Sequence, residues 1–337
     1  MPESALIRRI RPLASLRLTL PGFLLLGAGA LANAQGAAYG RWWVAAPLVL
    51  LGLNLSASLL TNPKFRVQPY LYGFHLCLLA LALLVAAGQF ARLKGRVEMV
   101  EGQGFDPAAL IVEERGGLHR GLPPLDLFRQ GPVRVQYAPG LIRQHTRSRL
   151  LVAQDGEGQP VEVGDTRPLV AAGYRFYTTH NIGFAAILSW FPEDRSGPVA
   201  GAVHFPSFPR LASDQVGHWR TPAGTDLELR LAPARVPQDQ AWQLDAARAG
   251  EQLWVGITGG EAVALGAGQA LALPGGSLRL ERIGMWMGYR VFYDPMLPWI
   301  FVAALLAVAF MARHLWSRLG LERPQSLRFA ASERSTR

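Results

Sequence analysis

Apolar residues in this chain come in blocks. Four stretches are long enough to cross a hydrocarbon core of about 30 Å, which takes about 20 mostly apolar residues. They run from Leu18 to Ala34, Trp42 to Leu60, Tyr70 to Phe90 and Met296 to Trp316. Between the third and the fourth the pattern changes to short runs with a two-residue period, as in Val133–Tyr137, Leu227–Leu231 and Leu278–Arg282. That period marks half-buried strands. Gly131-Pro132, Gly197-Pro198 and Pro274-Gly275 read as the turns that punctuate them. No long amphipathic helix is visible there. The pattern predicts a membrane protein with about four transmembrane α-helices and a large extracytoplasmic all-β domain, a sandwich or a barrel-like sheet. The expected layout is an N-terminal segment (1–17), three helices within 18–92 (18–34, 42–60 and 70–90), a β-rich domain (93–294), a fourth helix (295–316) and a basic tail (317–337).

The first apolar stretch is short, is rich in Gly and Ala, and contains Pro21. Its charged start and the small residues Ala32-Asn33-Ala34 also fit a cleaved signal peptide. The next apolar block follows too soon for a mature domain, so the stretch reads as an uncleaved helix. Two segments echo one another, Gly173-Tyr174-Arg175-Phe176-Tyr177 and Gly288-Tyr289-Arg290-Val291-Phe292-Tyr293. Each reads as a glycine-initiated strand. The second runs through Asp294-Pro295 into the fourth helix, so it is expected to couple the domain to the membrane.

Charge sets the orientation. The formal net charge is +10, carried almost entirely by arginine, and only 17% of residues are charged. A basic balance can serve nucleic acid, but here the arginines flank apolar blocks, so no nucleic-acid partner is expected. Arg8, Arg9, Arg11 and Arg17 precede the first helix, Lys64 and Arg66 follow the second, and Arg313, Arg318, Arg323, Arg328, Arg334 and Arg337 accompany or follow the fourth. Arg41 stands alone in the loop after the first. The excess of Lys and Arg on cytoplasmic flanks then predicts cytoplasmic termini and a periplasmic domain in a bacterial inner membrane. Trp42, Trp43, Tyr70, Tyr72, Trp299 and Trp316 fall where interfacial aromatic belts belong.

Catalytic signatures are missing: the chain has no HExxH, Gly-x-Ser-x-Gly, phosphate-loop or Cys-x-x-Cys-His pattern. No catalytic residue is assigned. His119, His145, His180, His204 and His218 lie in the exported domain without close ligand spacing. Of these, His180 reads either as a surface ligand or as a strand-end residue. Glu113-Glu114 and Glu193-Asp194 read as solvated turns. The informative position is His75, about one and a half turns into the third helix. An ionisable residue inside a span marks a partner, a cofactor or a polar path, and histidine is an axial ligand for haem iron. The same position also suits an interfacial histidine bonded to a neighbouring helix. Cys77, the sole cysteine, lies about 200° away around the helix and reads as a packing residue.

Several local patterns, in order along nearly the whole chain, resemble the ResB (CcsB-like) family of system II cytochrome c biogenesis, in a short form. Tyr72-Gly73-Phe74-His75-Leu76-Cys77-Leu78-Leu79 is similar to the family's His-Leu-containing helix. Gly95-Arg96-Val97-Glu98 with Glu101-Gly102 resembles the Gly-x-Val-x-Leu-x-Glu-Gly opening of its soluble domain. Pro168-Leu169 before Gly173–Tyr177 resembles a Pro-Leu-x-x-x-Gly-x-x-x-Tyr strand, and Tyr293-Asp294-Pro295 resembles its Asp-Pro-Gly helix start, with Met296 where Gly is usual. The resemblance implies a partner, a polytopic ResC/CcsA-like membrane protein. With it the chain would carry haem b across the membrane and present it to apocytochrome c. It maps an axial haem-ligand role onto His75 and makes the chain an accessory, non-catalytic subunit of a haem lyase complex. The alternative is a membrane-anchored scaffold subunit of a respiratory or other envelope complex that does not touch haem. Arg92, Lys94 and Arg96 read as a juxtamembrane basic collar or, alternatively, as contacts for haem propionates.

Overall fold

The computed structural model describes residues 10–36, 40–154, 157–194, 197–257 and 259–321. Arg8 and Arg9, and the tail with Arg323, Arg328, Arg334 and Arg337, lie outside the described residues. The chain forms two units. One is helical and comprises Met1–Arg92, Arg115–His119 and Asp294–Arg337; the other is all-β and comprises Leu93–Glu114 and Arg120–Tyr293.

The helical unit contains α1 (Leu16–Ala34), α2 (Gly40–Thr61), α3 (Pro69–Ala91) and α4 (Leu297–Leu321). At 1.5 Å per residue they are about 28–38 Å long. All four are long and apolar enough to cross a membrane, which makes this a multi-pass membrane protein. α4 continues past Trp316 because Ser317, Arg318 and Leu319 keep the helix going, and a basic residue in a last turn suits the negative end of the helix dipole. A helical turn, Lys64–Val67, precedes α3 where only a loop was expected.

Glycines bring these helices together. A Cβ on Gly22 would stand 2.7 Å from Leu51, and one on Gly29 would overlap the carbonyl oxygen of Trp43. A Cβ on Gly73 would stand 2.7 Å from the Phe310 ring. Small residues that let backbones approach are the usual basis of helix packing in lipid, where burial of apolar surface gives no drive. The contacts also give direction. Gly22 meets Leu51 while Gly29 meets Trp43, Trp42 meets Phe90 while Gly52 approaches Leu79, and Tyr70 meets Arg313 while Gly88 approaches Asp294. Each successive pair is therefore antiparallel. The starts of α1 and α3 and the end of α4 share one end of the array. The chain leaves for the β unit, and returns from it, at the other end.

Among the polar groups of this unit, the buried Asn54 amide is engaged at both its nitrogen and its oxygen. Asn54 Nδ2 donates to the carbonyls of Leu13 and Ser15, and its Oδ1 accepts from the Thr19 hydroxyl at 2.9 Å. The segment Arg115–His119 packs on the end of α3. Gly116 N–H donates to the Arg92 carbonyl at 2.9 Å and Leu118 N–H to that of Phe90 at 2.8 Å, which satisfies carbonyls that a helix end leaves unpaired.

Among the described residues the β unit has fifteen strands: β1 (Leu93–Val100), β2 (Ile111–Arg115), β3 (Phe128–Ala138), β4 (Ile142–Gln154), β5 (Glu157–Gly164), β6 (Leu169–Ala171), β7 (Tyr174–Pro192), β8 (Val199–His204), β9 (Val216–Arg220), β10 (Asp226–Leu231), β11 (Trp242–Leu244), β12 (Gln252–Ile257), β13 (Ala262–Gly266), β14 (Ala270–Leu273) and β15 (Gly276–Tyr293). The pairs β1–β15, β14–β15, β7–β15, β6–β7, β7–β8, β9–β10, β10–β12, β12–β13, β3–β11, β3–β4 and β4–β5 are antiparallel. Seven strands form one sheet, ordered β2-β1-β15-β7-β6 with β14 beside β15 and β8 beside β7; β13-β12-β10-β9 and β11-β3-β4-β5 form two smaller sheets. One core joins all three, with Val97, Phe176 and Tyr289 from the first, Leu229 and Val255 from the second and Val135 and Leu150 from the third. At its centre Tyr289 donates to Gln130 at 2.7 Å and meets Ser148 at 2.6 Å, and Gln130 donates back to Ser148 at 2.8 Å. The ring is closed, so a fully buried polar group is satisfied.

The two echoing segments pair with each other: Tyr174 lies opposite Tyr293 and Tyr177 opposite Arg290. Gly173, at φ +81°, does precede a strand. Gly288 does not; β15 begins at Gly276, and Gly288 sits at a register shift within it. Gly131-Pro132 likewise lies inside β3, at a register shift between Gln130 and Val133. Proline lacks the ladder donor and is tolerated within a strand at such a bulge. Pro274-Gly275 is the expected turn, closing the β14–β15 hairpin.

Candidate functional site

His75 lies on α3 at the end of the array that holds the start of α1 and the end of α4. Its ring is half-buried, with Nδ1 2.8 Å from the Leu71 carbonyl oxygen one turn back. A carbonyl only accepts, so Nδ1 carries the hydrogen and the lone pair of the neutral ring is on Nε2. Phe65, from the turn before α3, meets the imidazole edge-on at 4.9 Å, and Phe74 does so at 5.3 Å. The bond to Leu71 runs within one helix, so the neighbouring-helix hydrogen bond considered from sequence is not what holds this ring. Orienting one ring nitrogen through the other is how metal-binding histidines are fixed. The residues present therefore fit an iron ligand: an oriented Nε2 donor between two aromatic rings.

Cys77 is buried one turn beyond Gly73, the residue that meets Phe310 of α4. His75 is half-exposed on the other side. The two side chains are not brought together.

The remaining sequence-derived residues separate. Lys94 pairs with Glu114 at 3.1 Å and Arg96 with Glu113 at 3.9 Å. Glu113 and Glu114 are therefore strand residues of β2 rather than turn residues; the cations on β1 hold them there. Glu193 and Asp194 do form a turn. Lys94 and Arg96 belong to the β unit, and Arg92 is buried in the helical one. His180 is exposed within β7 rather than at its end, on a cleft of about 310 Å³ with Arg143, Gln144, Asp165 and Thr178. Arg143 there is committed: it donates to Thr146 and to the Thr179 carbonyl at 2.9 Å, and Asp165 stands at 3.8 Å. Burial holds its guanidinium below the ordinary arginine range. No group of three His, Cys, Asp or Glu side chains suited to a metal occurs among the described residues.

One pair was missed. His204 is bound to Glu98, 106 residues away in sequence, and nothing local announces such a contact.

No family model and no curated protein matches the chain. Among solved structures it is similar to a chain described as "Cytochrome c Heme Lyase CcmF", at TM-score 0.27 and 13% identity, over 90% of this chain and 35% of that one. This chain thus spans about a third of that protein's length, and a likeness of this size assigns neither family nor activity.

Proposed function

We propose that the chain is a ResB-like subunit of a cytochrome c maturation complex of the system II type. It would hold haem b as cargo and, with a ResC/CcsA-like partner, pass it toward apocytochrome c. The observation that carries this reading is the state of His75: its Nδ1–H is tied to Leu71, which leaves the Nε2 lone pair for iron. Haem supplies an iron with open axial positions; the chain supplies one ligand, an aromatic surround and a rigid helix. The second ligand belongs to the partner.

Sidedness supports the same reading. Arg11, Arg17, Lys64, Arg66, Arg313 and Arg318 accompany the helix ends that share one end of the array, whereas Arg41 and the buried Arg92 stand at the other. By the excess of cations on cytoplasmic flanks, His75 lies near the inner leaflet of a bacterial inner membrane and the β unit is periplasmic. Haem would then be received where it is made and released where cytochromes c are assembled.

The test is the absorption spectrum of the chain purified in detergent with its ResC-like partner, native and His75→Ala. A Soret band with reducible b-type features that weakens in the variant is expected. An equal band in both would remove the ligand role from His75. No haem in either, with the complex intact, would favour the scaffold subunit.

A further inference from the structure

The sheet β11-β3-β4-β5 turns Val133, Val135, Tyr137, Ser148, Leu150 and Val163 inward, and each of these is buried. The two-residue period of a strand sends their neighbours to the other face. That face carries Arg134 on β3, Arg147 and Arg149 on β4, and Glu162 on β5. All four are exposed. Register brings the cations together. Arg134 stands directly opposite Arg147, and Arg149 follows two residues along the same strand. Opposite side chains start about 5 Å apart, and next-but-one residues about 7 Å. Like charges so placed work against a sheet. Gln136 and Gln243, opposite one another, close the cluster on the β11 side.

Carboxylates do not neutralise this cluster from within. Glu162 stands opposite Arg149 but reaches Arg147, at 3.7 Å, with both side chains more than half exposed. Arg134 and Arg149 make no ion pair among the described residues. Between these side chains lies a hollow of about 180 Å³, with Pro132 the one apolar residue of its lining. Pockets for small molecules measure about 300–1,000 Å³ and are mostly apolar. This one suits acidic groups that project from something larger, not an enclosed metabolite. A shallow hollow of about 440 Å³ shares Arg147 and Glu162 and continues past His145 to Arg167. Asp165, which also lines it, is taken up by the Thr146 N–H at 2.9 Å. The basic surface is thus a track longer than one ion.

We propose that this face docks an acidic, extended segment of a partner protein. Guanidinium groups fork onto carboxylates through paired hydrogen bonds. Alternate side chains of an extended chain are about 7 Å apart, the spacing of Arg147 and Arg149 on β4. Gln136 and Gln243 supply both donors and acceptors for amide groups of the same segment. With Pro132 alone apolar, the hollow has nothing to insert among acyl chains, which sets a peptide ahead of an anionic lipid surface. Glu162 is an internal competitor, holding Arg147 until an incoming carboxylate displaces it. Neither His75 nor haem enters this docking.

The test is the fluorescence anisotropy of a labelled Glu-Ser repeat peptide, acidic at every second residue, titrated with the full chain in neutral detergent at low salt. Saturable binding is expected, and none for a Gln-Ser peptide; equal binding of the two would overturn the assignment. Arg134→Gln and Arg149→Gln should each weaken the acidic peptide by up to about fivefold. Arg220→Gln, the same loss of charge on β9, should not. Equal weakening by all three would mean that the peptide feels only the net charge of the chain, and would sink the docking site. Glu162→Gln should do the opposite and tighten binding, because it releases Arg147. Misfolding cannot imitate that gain, and an unchanged or weaker affinity would count against this face. Phosphatidylglycerol added to the micelles should leave the peptide bound; its displacement would give the face to a lipid surface instead.

Discussion

The two units put the same apolar side chains to opposite uses. In the helical unit the large ones face outward: Leu24 is 75% exposed and Trp316 71%. The closest approaches between helices fall to glycines. In the β unit the large ones are inside, with Trp190 at 1% and Phe128 at 1%. Burial of apolar surface drives folding only where the alternative is water. The β unit is held by what its core contains, and the helical unit by how closely its backbones approach. Large-to-small changes should therefore damage the first, and small-to-large changes the second.

The largest expected effect follows directly. Trp190→Ala removes a fully buried indole that packs edge-on against Trp219 at 6.2 Å, and should cost the β unit about 3–5 kcal/mol. Leu24→Ala, on the outer face of α1, should leave stability in detergent within about 0.5 kcal/mol. Denaturant unfolding of the two variants, followed by tryptophan fluorescence and by helical circular dichroism, measures both. Comparable losses would end the comparison. The reverse experiment is Gly29→Val. Its Cβ has nowhere to go but into the Trp43 carbonyl, so α1 and α2 must separate, at about 1–3 kcal/mol as for overpacked interiors. A cysteine cross-link between α1 and α2 should form less readily in that variant, while the unfolding of the β unit stays unchanged. A normal cross-linking yield would mean that the close approach is not what joins these helices.

Much of this division was legible in the sequence, for a physical reason. A span needs a long apolar block and a half-buried strand needs alternation, and both are local patterns. The sequence therefore shows α1 to α4, and strands such as β3, β10 and the end of β15. Long-range pairing was not legible. Gly131-Pro132 and Gly288 look like strand boundaries but are irregularities within strands, because a bulge and a turn ask for the same residue types. His75 could be singled out, since an ionisable residue in an apolar block is conspicuous. His204 could not. It lies among other polar residues, and its contacts with Glu98 and with the Trp286 indole come from other strands.

The finest comparison is between two carboxylates at either end of one turn of sequence, Glu98 and Glu101. Glu98 is held below its ordinary value of 4.5, first by the His204 hydrogen bond. Its folded form holds the proton less tightly than the unfolded chain. The stability it contributes is thus present above that ordinary value and is lost as pH falls through the lower, folded value. Burial pushes Glu101 the other way, above 4.5, despite the Val133 N–H it accepts at 3.0 Å and the nearby Arg282. What it contributes is present below the ordinary value and is lost as pH rises through the raised one. Glu98→Gln should therefore flatten the loss of β-unit stability on acidification, and Glu101→Gln should steepen it. Both effects are small beside the loss of Trp190, because Glu98 is about two-fifths exposed and water screens its charge. Melting temperatures of the three proteins between about pH 3 and pH 6, a window bracketing the ordinary Glu value, decide the matter. If both substitutions move the acid limb in the same direction, hydrogen bonding at Glu98 does not outweigh its burial, and the carboxylate does not hold His204 as the geometry implies.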